Sequence, residues 1–166
     1  MDRYTVSLFG HRTIDDLRKI DKILIPIIEE LMRKLPHVIF LIGRNGEFDE
    51  YSASIIKSLQ KKLGKEKGEL VLVLPYGSPD LVYFKQYYDD VMIPDCLYGV
   101  HPKSSITLRN RWIVERSDLV IAFAERAYGG AYQAMKYAQK LSKNWINLSD
   151  LDPTGNRDCF FNESLF

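Results

Sequence analysis

Cysteine is scarce in this chain. Cys96 and Cys159 are the only two, and they form neither a CxxC pair nor a zinc pattern. The expectation is two reduced thiols in a cytoplasmic protein whose core holds without disulfides or metal. Histidine is nearly as rare. His11, His37 and His101 lie in three separate segments, and nothing in their spacing suggests a metal site. An excess of one charge is also missing. Twenty-three Lys and Arg face 22 Asp and Glu, for a net charge of +1. A general nucleic-acid binder carries a basic excess or a basic face, so that class is disfavoured, while a local basic pocket stays open. No apolar stretch approaches a membrane span. Asp2 and Arg3 precede a strand-like run and not the apolar core of a signal peptide. A membrane is therefore not an expected partner. There is no internal repeat and no low-complexity segment.

What is present is an ordinary globular composition: 166 residues, 46% hydrophobic, 27% charged and 12% aromatic. That length fits one domain with a real core. The expected organisation is a single domain over 1–150 and a tail over 151–166, where Phe160, Phe161 and Phe166 pack on the body or on a neighbour.

Short apolar runs alternate with helical periodicity. Tyr4 to Phe9, Val38 to Ile42, Leu70 to Leu74, Leu119 to Phe123 and Trp145 to Leu148 read as strands. Between them, Leu17 to Leu35 recurs at helical spacing after Thr13, Asp15 and Asp16, with Pro26 as an interruption and Pro36 as a stop. Phe48 to Leu63 has helix character, and Gly64 to Glu69 reads as a solvated turn. Leu81 to Tyr88 reads as a short helix or a tyrosine-rich lid. Val91 to Val100, holding Pro94 and Gly99, reads as irregular with a short strand. Ser104 or Ser105 is placed to cap a helix reaching Ser117, and Ala131 to Leu141 forms a last helix. Continuous apolar strands are buried on both faces. Their alternation with amphipathic helices predicts an α/β, Rossmann-like three-layer fold with a mostly parallel sheet. In such folds ligands bind beyond the carboxyl ends of the strands.

Those ends carry the candidate site. After the first strand come Gly10, His11 and Arg12. Glycine admits close approach of backbone to ligand, and arginine grips phosphate through paired hydrogen bonds. After the second strand come Gly43, Arg44, Asn45 and Gly46, opening a helix whose amides are an expected anion site. Asp49 and Glu50 follow, either as favourable helix N-terminal charge or, in an enzyme, as the catalytic carboxylates. Arg109 and Asn110 precede the Leu119 strand, and Gly129, Gly130, Tyr132 and Gln133 form a second glycine turn after it. Tyr83, Tyr87 and Tyr88 either stack on a base or pack around a helix.

Several of these segments together resemble a known family. The Phe9-Gly10-His11-Arg12 turn is similar to the opening of YpsA-like proteins in the SLOG superfamily, which includes the DprA and LOG groups. Gly43 to Asp49, Arg109-Asn110-Arg111, the Arg116 to Ala122 stretch and Gly129-Gly130 resemble further motifs of that superfamily, in order, from Tyr4 to Leu148. The resemblance implies a Rossmann-like fold with a pocket for a nucleotide derivative. In the LOG branch the motif Pro-Gly-Gly-x-Gly-Thr-x-x-Glu serves N-glycosidic hydrolysis. Here Gly129 and Gly130 match it, Tyr128, Tyr132 and Gln133 depart from it, and Lys136 stands at the glutamate.

Three functions follow as expectations. The first is a sensor or carrier of a nucleotide or an NAD-derived ligand, with no other cofactor implied. The second is a nucleoside or nucleotide N-glycosidic hydrolase or transferase using Asp49 or Glu50. The third is a protein-interaction domain. A homodimer is a further expectation, because related folds pair through helices.

Overall fold

The computed structural model describes residues 2–151. Cys159, Phe160, Phe161 and Phe166, to which the tail expectations attach, lie outside the described residues. Six strands form one sheet: β1 (Arg3–Gly10), β2 (His37–Ile42), β3 (Gly68–Val73), β4 (Asp90–Met92), β5 (Leu119–Phe123) and β6 (Asn144–Asn147). Their order is β4-β3-β2-β1-β5-β6 and every pairing is parallel. The helices are α1 (Leu17–Lys34), α2 (Glu47–Leu63), α3 (Leu81–Tyr87), α4 (Pro102–Arg116) and α5 (Gly130–Lys140). The α/β, Rossmann-like three-layer fold expected from the sequence is the observed one.

Alternation along each strand divides the core in two. Val6, Leu8, Phe40, Ile42, Leu70, Leu72 and Ile121 join the buried faces of α1 and α2. Phe9, Leu41, Val71, Val73, Val120 and Ala122 join Ile113 and Val114 of α4 and Ala131, Ala134, Met135 and Ala138 of α5. Each fully buried aliphatic side chain contributes roughly 2 kcal/mol, so the central strands are held from both sides. The small alanines on α5 let that helix lie close to the sheet.

Local chemistry explains most boundaries. The Asp16 side chain caps α1, its Oδ1 accepting from the Arg18 amide at 3.0 Å. Helix α1 runs through Pro26 and ends at Lys34, two residues before Pro36. Helix α4 begins at Pro102, earlier than the serines suggested. Proline at the first helical position presets φ and has no amide to lose. His101 is its cap and accepts from the Lys103 amide through Nδ1 at 3.2 Å. His37 opens β2, and its Nδ1–H donates to the Glu66 carbonyl at 2.8 Å. The Gly64 to Glu69 segment is less solvated than expected: Lys65–Lys67 form one 3-10 turn, and a buried Gly68 already begins β3. Among the described residues no helix is long and apolar enough to cross a membrane.

Candidate functional site

The strand order reverses direction at the β1–β5 pair. From β1 the chain builds β2, β3 and β4 to one side, then returns to place β5 and β6 on the other. Beyond the carboxyl ends of such a pair the two connecting loops part, and a crevice opens. A cavity of about 580 Å³ occupies this position. Its walls come from Phe9 to Thr13 after β1, Asn45 and Asp49 after β2, Arg126 to Ala131 after β5, and one face of α4.

Nine residues singled out at the strand ends meet there: Gly10, His11, Arg12, Asn45, Asp49, Arg109, Asn110, Gly129 and Gly130. Four of the lining side chains are cationic (Arg12, Lys103, Arg109 and Arg126) and one, Asp49, is acidic. The charged lining of the cavity is therefore mostly cationic.

Arg109 is the deepest of the cations, only 2% exposed. Its Nη1 donates to the Val73 carbonyl at 2.9 Å and its Nε to Asn110 Oδ1 at 2.9 Å. The guanidinium lies directly over Gly43, where a Cβ would stand 2.7 Å from Nη1. Glycine is required there by this close approach. Asn110, its oxygen engaged by Arg109, turns its amide nitrogen toward Gly130. A side chain read as reaching for ligand from a helix end is thus also the bolt joining α4 to the ends of β2 and β3.

Asp49 is also buried. Its Oδ2 accepts from the Asn45 amide at 3.0 Å. Burial pushes its carboxyl up to about 6, and the Asn45 amide and the Arg109 charge offset only part of that rise. His11 is 7% exposed, and its Nε2 accepts from the Glu125 amide at 2.9 Å. That bond fixes the tautomer with the proton on Nδ1. Burial, with help from Arg126, holds His11 below the usual histidine range, so the ring is neutral at pH 7.

At the start of α2, where the sequence places an anion site, the protein supplies partners of its own. The Glu47 amide donates to the Arg12 carbonyl at 2.8 Å, the Asn45 amide goes to Asp49, and Gly46 packs on the Arg12 backbone. Glu47 returns the tie, accepting from the Ile14 amide at 2.7 Å. Arg44 faces α3 instead of the cavity: it donates to the Tyr88 hydroxyl at 3.4 Å, lies 3.6 Å from Glu50 and 4.9 Å from the Phe84 ring centroid. Glu50 is on the surface with it. Tyr88 is buried with Phe84, while Tyr83 is exposed. Tyr132 packs on the α4–α5 core, and Gln133 lines a neighbouring cavity.

The start of α5 is different. Gly129 holds φ at +92°, and among the described residues no side chain caps the helix and nothing outside its chain neighbours lies within 4 Å of where a Gly129 Cβ would be. Gly129, Gly130 and Ala131 line the cavity there, so the positive end of the helix dipole stands at its rim.

Lining residues that the strand-end rule passed over include Lys103, Thr107, Arg126 and Tyr128. Lys103, Thr107 and Asn110 recur four and three apart, the signature of one helix face, so Asn110 pointed to them once the helix was extended to Pro102. Arg126 and Tyr128 sat in plain view in the loop after β5.

No family model matches the chain, and no curated protein matches it. Solved structures do. The chain is similar to the X-ray structure of TM1055, at 15% identity with a TM-score of 0.58, over 86% of this chain and 72% of that one. It is also similar to DNA processing protein A from Helicobacter pylori, a structure concerned with single-stranded DNA binding, at 18% identity with a TM-score of 0.57. That match covers 86% of this chain and 63% of the Helicobacter chain, so this chain spans less than two thirds of it. Likenesses at this identity establish the fold, and the fold is consistent with the SLOG and DprA resemblance of the sequence.

Proposed function

We propose that the cavity at the β1–β5 crevice binds a nucleotide or nucleotide-derived ligand, as a sensing or carrying module. The observation that carries this reading is the convergence of three exposed cations, Arg12, Lys103 and Arg126, and a helix start opened by glycine and without a side-chain cap among the described residues on one nucleotide-sized cavity. In this reading a phosphate sits on the first-turn amides of α5, held by Arg12, Lys103 and Arg126. Asn110 Nδ2 and Asp49 are within the same walls to meet sugar hydroxyls, and Tyr128, with Arg126 5.3 Å from its ring centroid, offers a face to a base. Gly10, His11, Asn45, Gly129 and Gly130 shape the floor and rim.

The test is native mass spectrometry of the freshly purified protein, with release and identification of any bound molecule, followed by thermal shift across a nucleotide panel. The expected result is a nucleotide-dependent rise in melting temperature that Arg12→Ala and Arg126→Ala each reduce. No shift with any nucleotide, and no released molecule, would sink the reading.

One observation favours a second reading. Asp49 is the acidic residue of the cavity, and a carboxyl held near 6 is poised for proton transfer at neutral pH. Cleavage of the base from a nucleotide, abolished by Asp49→Asn, is what an N-glycosidic hydrolase predicts. Unchanged nucleotide after long incubation leaves the binding module.

A further inference from the structure

A second cavity, of about 690 Å³, lies between α4 and α5. It shares Thr107, Asn110 and Gly130 with the first, so the two are continuous across the start of α5. Its charged lining is Arg111, Lys136 and Lys140, with no acidic residue. None of these three cations forms an ion pair among the described residues. Lys136 and Lys140 stand four apart on one helix face, where like charges repel. Arg111 faces them from α4, with its guanidinium 5.5 Å from the Tyr137 ring centroid. Arg111, Lys136 and Lys140, all exposed, thus present three positive charges without an ionic partner to one concavity, a surface complementary to an anion.

Length narrows the class of that anion. Gly130, Gln133, Tyr137 and Lys140 form a stripe along α5 that leaves the first cavity and runs about 15 Å to the end of the helix. Beyond it, Lys143 donates to the Glu115 carbonyl at 3.0 Å and lines neither cavity, and Arg116 lies 3.9 Å from Glu115. Together with the first cavity, a groove of this length has room for two nucleotide units. We infer that the two cavities form one site for a dinucleotide, with one half at the β1–β5 crevice and the second half, phosphate-bearing, among Arg111, Lys136 and Lys140. This rests on the proposed nucleotide reading of the first cavity and extends it. The lysine at position 136, where the resemblance places a glutamate, gains a role: it receives negative charge.

The experiment is isothermal titration of the full chain with AMP and GMP against pApA and pGpG, and with a twenty-nucleotide oligo(dT), in the wild type and in Lys136→Ala/Lys140→Ala. Both lysines are exposed, so the double variant is expected to fold, and its circular dichroism checks this. The expected result is a dinucleotide bound at least tenfold more tightly than the matching mononucleotide, with that ratio falling toward one in the double variant. Mononucleotide binding without a dinucleotide gain, or a gain that survives the double variant, overturns the inference and leaves the nucleotide reading standing. Oligo(dT) binding more tightly than either dinucleotide overturns it in favour of a strand track. Failure of every ligand overturns both.

Discussion

Two glycine turns, each leading from a strand into a helix, look alike in the sequence and end up opposite in the structure. The turn at Gly43 to Gly46 is filled. A guanidinium covers Gly43, the Arg12 backbone covers Gly46, and the amides of Asn45 and Glu47 are spent on Asp49 and the Arg12 carbonyl. The turn at Gly129 and Gly130 is open. Among the described residues nothing outside its chain neighbours lies within 4 Å of a Gly129 Cβ, and a Gly130 Cβ would meet Asn110 at 3.7 Å. One turn is structural and holds the crevice in shape; the other is free to receive a ligand. Glycine at a strand end is therefore not a ligand site in itself. Its meaning depends on what the rest of the chain brings to it.

The largest effect should come from removing what fills the first turn. Arg109→Ala leaves the Val73 carbonyl unpaired, Asp49 without its compensating charge, and a void over Gly43. A loss of about 3 kcal/mol or more is expected in urea denaturation. A loss below about 1 kcal/mol would mean the first turn is not closed by this residue.

Asp49 provides the pH test of the same turn. Its carboxyl is about 6 in the folded protein against 3.8 unperturbed. Between those values the native state keeps a proton that the unfolded chain releases, so stability falls as pH rises. The contribution is fully present below about pH 4 and lost above about pH 6, on the order of 3 kcal/mol across the window. Urea melts of the wild type and Asp49→Asn at pH 4, 5, 6 and 7 should diverge by this slope. Parallel curves would place Asp49 in water.

Gly43→Ala sets a methyl against a guanidinium held by Val73, at an expected cost of about 1–3 kcal/mol. It should lower stability whether or not ligand is present. Gly130→Ala, with room for the methyl, should stay within about 0.5 kcal/mol of wild type in the apo protein, yet weaken nucleotide binding about tenfold by crowding the open amides. Equal effects of the two substitutions on stability would erase the distinction between the turns.

Much of this molecule was legible in advance. The unbroken apolar runs at Val38 to Ile42 and Leu119 to Phe123 announced strands buried on both faces, and their alternation with helices announced a parallel sheet. The rule that ligands sit beyond strand ends then picked out nine residues that line one cavity. Lys103 and Thr107 were missed because the start of α4 is set by Pro102 and His101, a cap that histidine rarely advertises. Arg44 and Glu50 were grouped with the site by adjacency. Arg44, before the helix, lies against α3, and Glu50, one residue on from Asp49 and so on another side of α2, pairs with it at the surface.

Hydrophobic periodicity is a local property, so the sequence by itself determined the elements, the fold class and the edge of the sheet where the cavity opens. Which glycine turn is closed, how deeply Arg109 and Asp49 are buried, and whether two cavities join along α5 were decided only by the tertiary structure. Each depends on α4 crossing the ends of β2 and β3 and packing beside α5. The sum of many side-chain contacts between distant segments sets that crossing, and no local pattern encodes it.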